Sequence, residues 1–490
     1  MRDSDIKRQR TRRAVATILS ARINGHVRLE AHPGGRIFAC VDHHLVDLGQ
    51  FSADAARRAG ELRVGLPLKS IISGGGNSDE EVQSLVARLA SHGLLEYCLG
   101  AQTGDDVIVE PQVADYWPQI PLLDNADFLV LSRFAYLRRR ANDLLLESPL
   151  ARAAFRIRNP KIAAMLALLS TPKQLKSLRR QDGFPGVELL ALLLDGRILF
   201  KIAAGCEGEL RRAEGDDSLV LWDFHDLLFH TRSTEGRHAN PQGGLYPYVG
   251  TIAPLPPVRP RWPGKKIDLT KCSSANSQEG AQAAALLRAR HSTRIFDDRR
   301  PITLAELAQY LDGAARVQSK WTGQLDLGDR TTELKYAARP YPSGGASYEL
   351  ELYLAVDKCE GLARGFYHYD AGAHALVPIV VRTNELDAML ASASFAMDSP
   401  ATPQVLITIA ARFGRVSWKY SSLAYSLVLK NVGAFTQTLY LMATDMGLGG
   451  CGIGSVNIDL FAEMTGLEFH TEGPVGQFAM GRAAKQSSVD

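Results

Sequence analysis

The residues whose types and spacing can do chemistry lie in the second half of the chain. The first group is the segment Arg288–Asp297, with the sequence RARHSTRIFD. Arg290, Ser292 and Arg294 occupy alternate positions, so an extended chain points all three side chains to one side. Two guanidinium groups and a hydroxyl form a receptor for phosphate, because arginine makes bidentate charged hydrogen bonds. The alternative is a solvated basic helix end before a turn.

A second group combines a glycine loop with a lysine–tyrosine pair. Residues 340–346 read PYPSGGA, and glycine lacks the Cβ atom that keeps backbone away from a flat ligand. A plain hairpin loop is the alternative. Lys419 and Tyr420 are adjacent, and both can serve one site only where the backbone bends. An ammonium beside a phenol favours the tyrosinate, so this pair is a candidate general base; an ordinary surface dipeptide is the alternative.

A glycine-rich run, Gly447–Gly454, follows this pair. It contains the pattern GxGxxG, but it follows a helical pattern rather than a strand, so it is not a dinucleotide-binding fingerprint. The run instead predicts a turn whose backbone N–H groups can face a ligand. Elsewhere, Gly74–Gly76 lacks the lysine and hydroxyl of a phosphate loop. His225 and His230 lie about 140° apart on a predicted helix, which does not suit a shared metal ion.

A long helical pattern joins these groups. Apolar residues recur at spacings of three and four from Leu423 to Met442, and small or apolar residues occupy the opposite face as well. The pattern predicts a helix that begins after Ser421 or Ser422, ends near Gly447 and is buried on nearly all sides. Such a helix is central to its domain or lies at a subunit interface.

The first half of the chain contains two similar α+β patterns. Residues 78–81 have capping-box spacing and predict a helix that runs to residue 92, with Gly93 as its C-terminal cap and a strand after it. Two helices and a strand are predicted in a similar order over residues 160–170, 189–194 and 197–202. This order is typical of small winged-helix units in tandem.

Composition limits the class of protein. The chain has 490 residues, of which 46% are hydrophobic and 22% are charged, as in soluble globular proteins. Its formal net charge is +3, so charge alone indicates neither a nucleic-acid nor a membrane partner. The six cysteines are far apart, which argues against structural zinc and a disulfide framework and favours a cytoplasmic location. No stretch is long and apolar enough to predict a membrane span.

Five motifs in one order resemble the nitroreductase superfamily, and more narrowly the SagB-type azoline dehydrogenases, which include the cyanobactin oxidase group. They are ARHSTRIFD, YPSGGASYELELYLAV, RGFYHYD, the segment Trp418–Ser455 and VGQFAMGR. The resemblance covers residues 222–481. The first half more loosely resembles the tandem winged-helix peptide-clamp modules of that group's larger members. The resemblance implies an α+β fold, with a nitroreductase-like domain that binds FMN between two copies of the chain, preceded by winged-helix-like modules.

The same resemblance implies the domains and the site. Residues 1–110 and 120–215 are expected to form the two modules, and residues 216–490 the oxidoreductase domain, with a proline-rich connector at 254–264. The residues expected to bind FMN are Arg290, His291, Ser292, Arg294, Pro342, Ser343, Gly344, Gly449, Gly450, Cys451 and Arg482. Lys419 and Tyr420 are the expected catalytic residues, and no metal is expected.

The implied reaction converts a thiazoline or oxazoline of a peptide to the thiazole or oxazole. A base takes the proton from Cα while the flavin takes a hydride from the adjacent ring carbon. The implied partners are an azoline-containing precursor peptide, a second copy of the chain and a cyclodehydratase. One alternative is an NAD(P)H-dependent nitroreductase or quinone reductase for small molecules, which does not need the first half. Another is a DNA-binding module, which the near-neutral charge disfavours.

Overall fold

The computed structural model of the protein describes residues 18–41, 44–72, 77–101, 104–113, 115–181, 184–203, 205, 209–234, 251, 282–326, 331–420 and 423–484. They form two compact units, one from Ile18 to Val220 and the other from Leu221 to Ala484. Among the predicted features, the connector at 254–264, the run Gly74–Gly76 and the helix caps Ser421 and Ser422 lie outside the described residues. No helix in the described part of the chain is both long and apolar enough to cross a bilayer.

The first unit repeats one order of elements. Its first segment contains β1 (Ile18–Ile23), β2 (Val27–Ala31), β3 (Arg36–Val41), β4 (His44–Gln50), α1 (Ala53–Ala59), β5 (Leu66–Pro67), α2 (Leu68–Ile72), α3 (Asn77–Ser91), β6 (Leu95–Ala101) and β7 (Gly104–Pro111). Its second segment contains β8 (Phe128–Leu131), β9 (Tyr136–Arg140), β10 (Asp143–Glu147), β11 (Ala153–Ile157), α4 (Pro160–Leu168), β12 (Lys173–Gln174), α5 (Leu175–Leu178), α6 (Val187–Asp195) and β13 (Leu199–Ile202), followed by α7 (Leu210–Ala213) and α8 (Asp217–Val220). In each segment a strand precedes a three-stranded insertion, a helix, a short strand, two helices and a strand.

The repeat extends to strand pairing. β1 lies between β5 and β6, and β8 lies between β12 and β13, with every pair antiparallel. β7 pairs with β6 on one side and with β11 of the second segment on the other. Strands of both segments therefore share a seven-stranded sheet of order β5-β1-β6-β7-β11-β10-β9. The two segments are parts of one compact unit and not separate bodies.

Several local predictions for the first unit are confirmed. The helix predicted from residue 78 is α3, which begins one residue earlier, at Asn77. Gly93 has a φ of +65°, the left-handed conformation that glycine adopts without steric cost. In the second segment, α4 begins at Pro160 after the cap residue Asn159, whose side chain accepts a hydrogen bond from the backbone of Lys161. The buried face of α6, Leu189–Leu193, lies in the core of this unit.

The second unit is built on a six-stranded antiparallel sheet of order β20-β19-β17-β21-β23-β22. Its elements are α9 (Phe224–Arg232), α10 (Gln282–Ala289), β14 (Ile302–Thr303), α11 (Leu304–Ala315), β15 (Ser319–Asp326), β16 (Thr331–Ala338), β17 (Leu350–Val356), β18 (Cys359–Glu360), β19 (Gly365–Asp370), β20 (Ala375–Ile379), α12 (Thr383–Ala396), β21 (Val405–Arg412), α13 (Gly414–Ser417), α14 (Ala424–Asp445), β22 (Gly449–Ile453), α15 (Ile458–Thr465) and β23 (Glu472–Gly481). The predicted helix around His225 and His230 is α9.

Helices cover both faces of this sheet. On one face, the hydroxyl of Thr408 in β21 lies 3.8 Å from the sulfur of Met389 in α12. On the other face, Phe478 of β23 packs its ring against Tyr440 of α14, with ring centroids 4.9 Å apart. Because successive residues of a strand point to opposite faces, β21 and β23 contribute side chains to both layers and are buried almost throughout. The second unit therefore has three layers.

The predicted long helix is α14, which has 22 residues. Its buried residues are Ala424, Tyr425, Val428, Asn431, Phe435, Leu439 and Ala443. Their spacing of mostly three or four defines one stripe. Its members contact Phe229 of α9, Tyr341 before β17 and Tyr310 of α11. Other apolar side chains, such as Leu427 and Leu441, are partly exposed. Within the single chain α14 is therefore buried along this stripe and partly exposed elsewhere, and its place at a subunit interface stays a prediction.

Candidate functional site

The first part of the candidate site is the phosphate segment, residues 290–294. Helix α10 ends at Ala289, and the backbone N–H of Thr293 then donates to the carbonyl of Gly450 in the edge strand β22 (2.8 Å). Tyr440 of α14 lies under this segment. Its hydroxyl accepts a hydrogen bond from the backbone of Gly452 (2.7 Å) and lies 2.9 Å from the hydroxyl of Ser292. Helix α14 thus fixes the segment against β22.

The positive charges of this segment are available to a ligand. Arg290 lies with its guanidinium 5.0 Å from the centre of the Tyr440 ring. Within the described residues, no carboxylate lies within ion-pair distance of Arg290 or Arg294. If Tyr440 donates to Ser292, the serine keeps its own proton to donate elsewhere. Two guanidiniums and a hydroxyl donor within five residues fit a phosphate group. His291 is exposed, and its Nδ1 lies 3.0 Å from the carbonyl of Ala289.

The glycine run does not form the predicted turn. Residues Gly449–Ile453 are the edge strand β22, paired with β23. A Cβ at Gly449 would come within 3.0 Å of the Thr293 hydroxyl oxygen, and one at Gly450 would meet the ring of Phe478. These glycines are therefore needed for close packing of the phosphate segment and of Phe478. Cys451 follows them as a buried thiol, and its burial raises the pKa above the usual value.

Arg482 does not join the phosphate segment. Its guanidinium donates two hydrogen bonds of 2.8 Å to the carboxylate of Glu306, and its Nε donates to the carbonyl of Arg300 (3.0 Å). This pairing lowers the pKa of Glu306. The predicted contact of Arg482 with a phosphate would therefore have to compete with the carboxylate of Glu306.

The second part of the candidate site brings together the predicted loop and the lysine–tyrosine pair. After α13, the backbone N–H groups of Lys419 and Tyr420 both donate to the carbonyl of Val416 (3.0 and 2.9 Å). This turn is the backbone bend that allows both side chains to serve one place. The amine of Lys419 donates to the carbonyl of Gly345 (3.3 Å) and lies 5.4 Å from the centre of the Tyr420 ring.

Gly345 makes this close contact possible. Its φ is +62°, and a Cβ at this position would lie 2.8 Å from the amine of Lys419 and closer still to the Tyr420 hydroxyl. Pro342, Ser343 and Gly344 precede it in the same loop. The loop and the pair are therefore packed directly on each other, and Lys419 remains exposed.

Two residues of α14 that support these groups, Asn431 and Tyr440, were not found from the sequence. The side chain of Asn431, on α14, accepts a hydrogen bond from the backbone of Gly344 (3.0 Å) and donates to the carboxylate of Glu349 (2.8 Å). Asn431 lies in the buried stripe of α14 among mostly apolar residues, and this position could have identified it, since buried polar groups need partners. Tyr440 gives no such signal, because several other polar residues of the helix also lie outside the stripe.

The two parts of the site lie on opposite sides of α14. Asn431, under the loop, and Tyr440, under the phosphate segment, are nine residues apart. At 100° and 1.5 Å per residue, this spacing corresponds to half a turn around the helix and about 14 Å along it. The structure therefore brings the predicted site residues together in two groups, one on each side of α14.

Two parts of the sequence match the models of known protein families. Residues 287–482 match the model of the nitroreductase family, and residues 129–239 match the model described as cyanobactin oxidase ThcOx. A curated protein of Methanocaldococcus jannaschii described as a nitroreductase, MJ1384, is 32% identical over 155 residues, which cover 32% of this chain and 70% of that protein. The chain belongs to the nitroreductase family of oxidoreductases.

Solved structures with a similar fold include a nitroreductase-type protein of Ralstonia eutropha JMP134. It is 23% identical and covers 48% of this chain and 100% of its own, with a TM-score of 0.32. A chain of the Escherichia coli microcin synthetase McbBCD complex with truncated pro-MccB17 is 21% identical. It covers 55% of this chain and 97% of its own, with a TM-score of 0.38.

Proposed function

We propose that this protein oxidises thiazolines or oxazolines of a precursor peptide to thiazoles or oxazoles, with FMN as its cofactor. The observation that carries the proposal is the contact of Lys419 and Tyr420 with the loop at Gly345. That contact places an amine and a phenol together against the loop expected to line a flat cofactor. The match of residues 129–239 to the cyanobactin oxidase model supports a peptide substrate over a small molecule.

The residues of this chain fit FMN at both ends of the cofactor. Arg290, Ser292 and Arg294 supply charged and neutral donors for its phosphate, and the loop Pro342–Gly345 supplies backbone for its ring. When bound, FMN supplies an acceptor for a hydride. The fit rests on the donor set of the phosphate segment, whose guanidiniums have no carboxylate partner within the described residues, and on the steric demand at Gly345.

The chain's own part in the reaction is to move a proton. Conversion of an azoline to an azole removes a proton from Cα and a hydride from the adjacent ring carbon. Lys419 or Tyr420 takes the proton, and the other residue orients the base. The carbonyl of Gly345 holds the lysine amine in place. Loss of the Cα–H and of the hydride then leaves an aromatic ring, which favours completion of the reaction.

We further propose that two copies of the chain form the complete site. The phosphate segment and the loop lie on opposite sides of α14, which supports a site in which each FMN contacts the phosphate segment of one chain and the loop of the other. The partly exposed apolar side chains of α14 supply a face that a second copy can cover. In this arrangement the phosphate segment of one chain meets the loop and Lys419 of the other. The further proposed partners are the azoline-containing peptide and a cyclodehydratase.

We also propose a cytoplasmic location. The cysteines at positions 40, 98, 359 and 451 are free thiols. Unpaired cysteines are typical of a reducing compartment.

The proposal is tested with purified protein and a synthetic thiazoline peptide. We expect bound FMN, visible as a yellow absorbance, and a product that has lost two hydrogen atoms by mass spectrometry. Lys419→Ala should retain FMN and lose at least about 100-fold in turnover. Lys358→Ala is the matched control, because that lysine forms an exposed ion pair with Asp298. A protein that cannot be loaded with FMN, or equal turnover in both variants, would contradict the proposal.

The similarity to MJ1384 favours a second candidate, an NAD(P)H-dependent nitroreductase acting on small molecules. This activity uses the same cofactor but takes hydride from NAD(P)H. Rapid bleaching of the flavin absorbance by NAD(P)H, without turnover of the thiazoline peptide, would establish this candidate instead. Slow or no bleaching, with turnover of the peptide, supports the azoline oxidase.

A further inference from the structure

The loop that precedes β17 has an unusual backbone. Ala346 and Tyr348 have φ values of +53° and +43°, a region that residues with a Cβ adopt rarely. Such a conformation persists only where surrounding contacts hold it. One of these contacts is the backbone N–H of Tyr348, which donates to the hydroxyl of Ser343 (2.9 Å).

The Ser343 hydroxyl has no capacity left for a ligand. Besides the N–H of Tyr348, it accepts a hydrogen bond from the amide nitrogen of Asn431 (3.2 Å). It donates its proton to Glu349 (3.2 Å). A hydroxyl has one proton and two lone pairs, so all three are used. The loop therefore offers its backbone, and not this hydroxyl, to a bound group.

Asn431 and Glu349 complete the network from below. The Asn431 oxygen accepts from Gly344, and its nitrogen donates to Glu349 at 2.8 Å. Glu349 has no exposed surface and Asn431 is 5% exposed. Each Glu349 oxygen accepts one side-chain hydrogen bond, one from Asn431 and one from Ser343. Exchange of either residue therefore leaves a buried donor or acceptor without its partner.

We propose that Asn431 and Glu349 are positioning residues: they hold the strained loop so that the carbonyl of Gly345 stays against the amine of Lys419. The inference rests on the proposed function, because it assigns Lys419 to the reaction. Neither residue touches Lys419 or Tyr420 in the structure. Their effect passes through the backbone of Ser343 and Gly344.

The protonation of Glu349 depends on its neighbours in this network. Burial raises the pKa of this carboxyl, while the donors Asn431 and Ser343 and the charge of Arg339 lower it. Tyr341 is the other titratable group that senses Glu349, and its own pKa is raised chiefly by burial. A second carboxylate beside Glu349 cannot ionise without strong repulsion in this buried place.

The test uses Asn431→Asp, Glu349→Gln and the double variant that combines them. In Asn431→Asp the new carboxylate shares a proton with Glu349 at low pH, and both ionise at high pH. We expect kcat to fall about 10- to 100-fold as the pH rises, while wild type keeps its profile. Glu349→Gln should lose about as much, because its amide meets a serine oxygen that already accepts two N–H groups. The double variant restores an amide–carboxylate hydrogen bond between the two positions, but position 431 no longer donates to Ser343. We therefore expect partial recovery, to within about tenfold of wild type and better than either single variant.

Asn125→Asp is the matched control, because it makes the same chemical change at an exposed position. FMN absorbance and the thermal midpoint of unfolding are measured for every variant, with and without FMN.

Single variants with wild-type kcat at all pH values, or a double variant no better than the singles, would overturn the inference. If a single variant does not fold, the double variant decides alone: a loss of tenfold or more overturns the inference, and recovery supports it. Failure of wild type to bind FMN or oxidise azolines refutes the proposed function instead. In that case the thermal midpoint of the double variant, compared with those of the two single variants, still tests whether positions 431 and 349 stabilise the loop as a pair.

Discussion

A site assembled from two chains makes a strong prediction about mixed dimers. One chain carries Arg290→Ala and Arg294→Ala, and the other carries Lys419→Ala. Each arginine is free of carboxylate partners within the described residues, so each can contribute about 1.5–3 kcal/mol to a phosphate. Loss of both should weaken FMN binding about 10²- to 10⁴-fold. Each variant alone should therefore be inactive as a homodimer, for a different reason.

The mixed dimer should regain activity. If the phosphate segment of one chain meets Lys419 of the other, one of the two sites receives both defects and the other receives none. The mixed dimer should then show about half the turnover of wild type. The assay uses two affinity tags, sequential purification of the mixed dimer and turnover of a thiazoline peptide.

A reciprocal mixture is the control. One chain carries all three substitutions and its partner is wild type. A shared site predicts little activity, because each site then has one defect. A site formed within one chain predicts the opposite pattern, with about half activity in this control and none in the first mixture. That opposite pattern would refute the reasoning from the geometry of α14.

Two further substitutions separate structural from functional roles. Arg482→Ala should leave FMN affinity unchanged and lower the stability of the fold by about 1 kcal/mol at pH 7, because its bidentate bond to Glu306 is partly exposed. The pKa of Glu306 is lowered in the folded state, so this stabilisation is present above about pH 4.3 and is lost as the pH falls through the folded pKa. Thermal unfolding of variant and wild type should therefore converge at acid pH, and weaker FMN binding would show that Arg482 belongs to the site. Gly345→Ala should cost about 1–2 kcal/mol, because the position has a positive φ and the new Cβ meets Lys419. Its turnover should fall more than its FMN affinity, as measured by peptide kinetics and FMN titration, and an unchanged turnover would show that this contact is not needed.

Local features were predictable where one chemical property decides the structure. Gly93 ends α3 in the left-handed conformation, as its position after an amphipathic pattern predicts. The bend at Lys419 and Tyr420 follows from the break between an extended pattern and a long helical one. Each of these local structures is determined by residues within a few positions in the sequence, so it can be predicted from the sequence alone.

Features that depend on distant residues were not predictable in this way. Glycines 449 and 450 predicted a turn, but they form a strand because Thr293 and Phe478 occupy the space of their missing side chains. Arg482 was assigned to phosphate, whereas its partner Glu306 lies 176 positions away in the sequence. Glu349 and Asn431 are separated by 82 positions. No periodicity relates residues so far apart, and only the fold shows which of them meet.

The side chains of Asn431 and Tyr440 explain why the single helix α14 serves two different groups. Each needs hydrogen-bond partners, because an unpaired buried polar group costs free energy. Asn431 obtains its partners from the loop before β17, and Tyr440 obtains them from β22 and the phosphate segment. Asn431 cannot reach the partners of Tyr440, nor Tyr440 those of Asn431, since half a helical turn and about 14 Å separate the two positions. A second copy of the chain can supply the missing half on each side without any change in the helix. Under the proposed two-chain arrangement, this spacing gives a symmetric pair two equivalent sites, which is what the mixed dimers test.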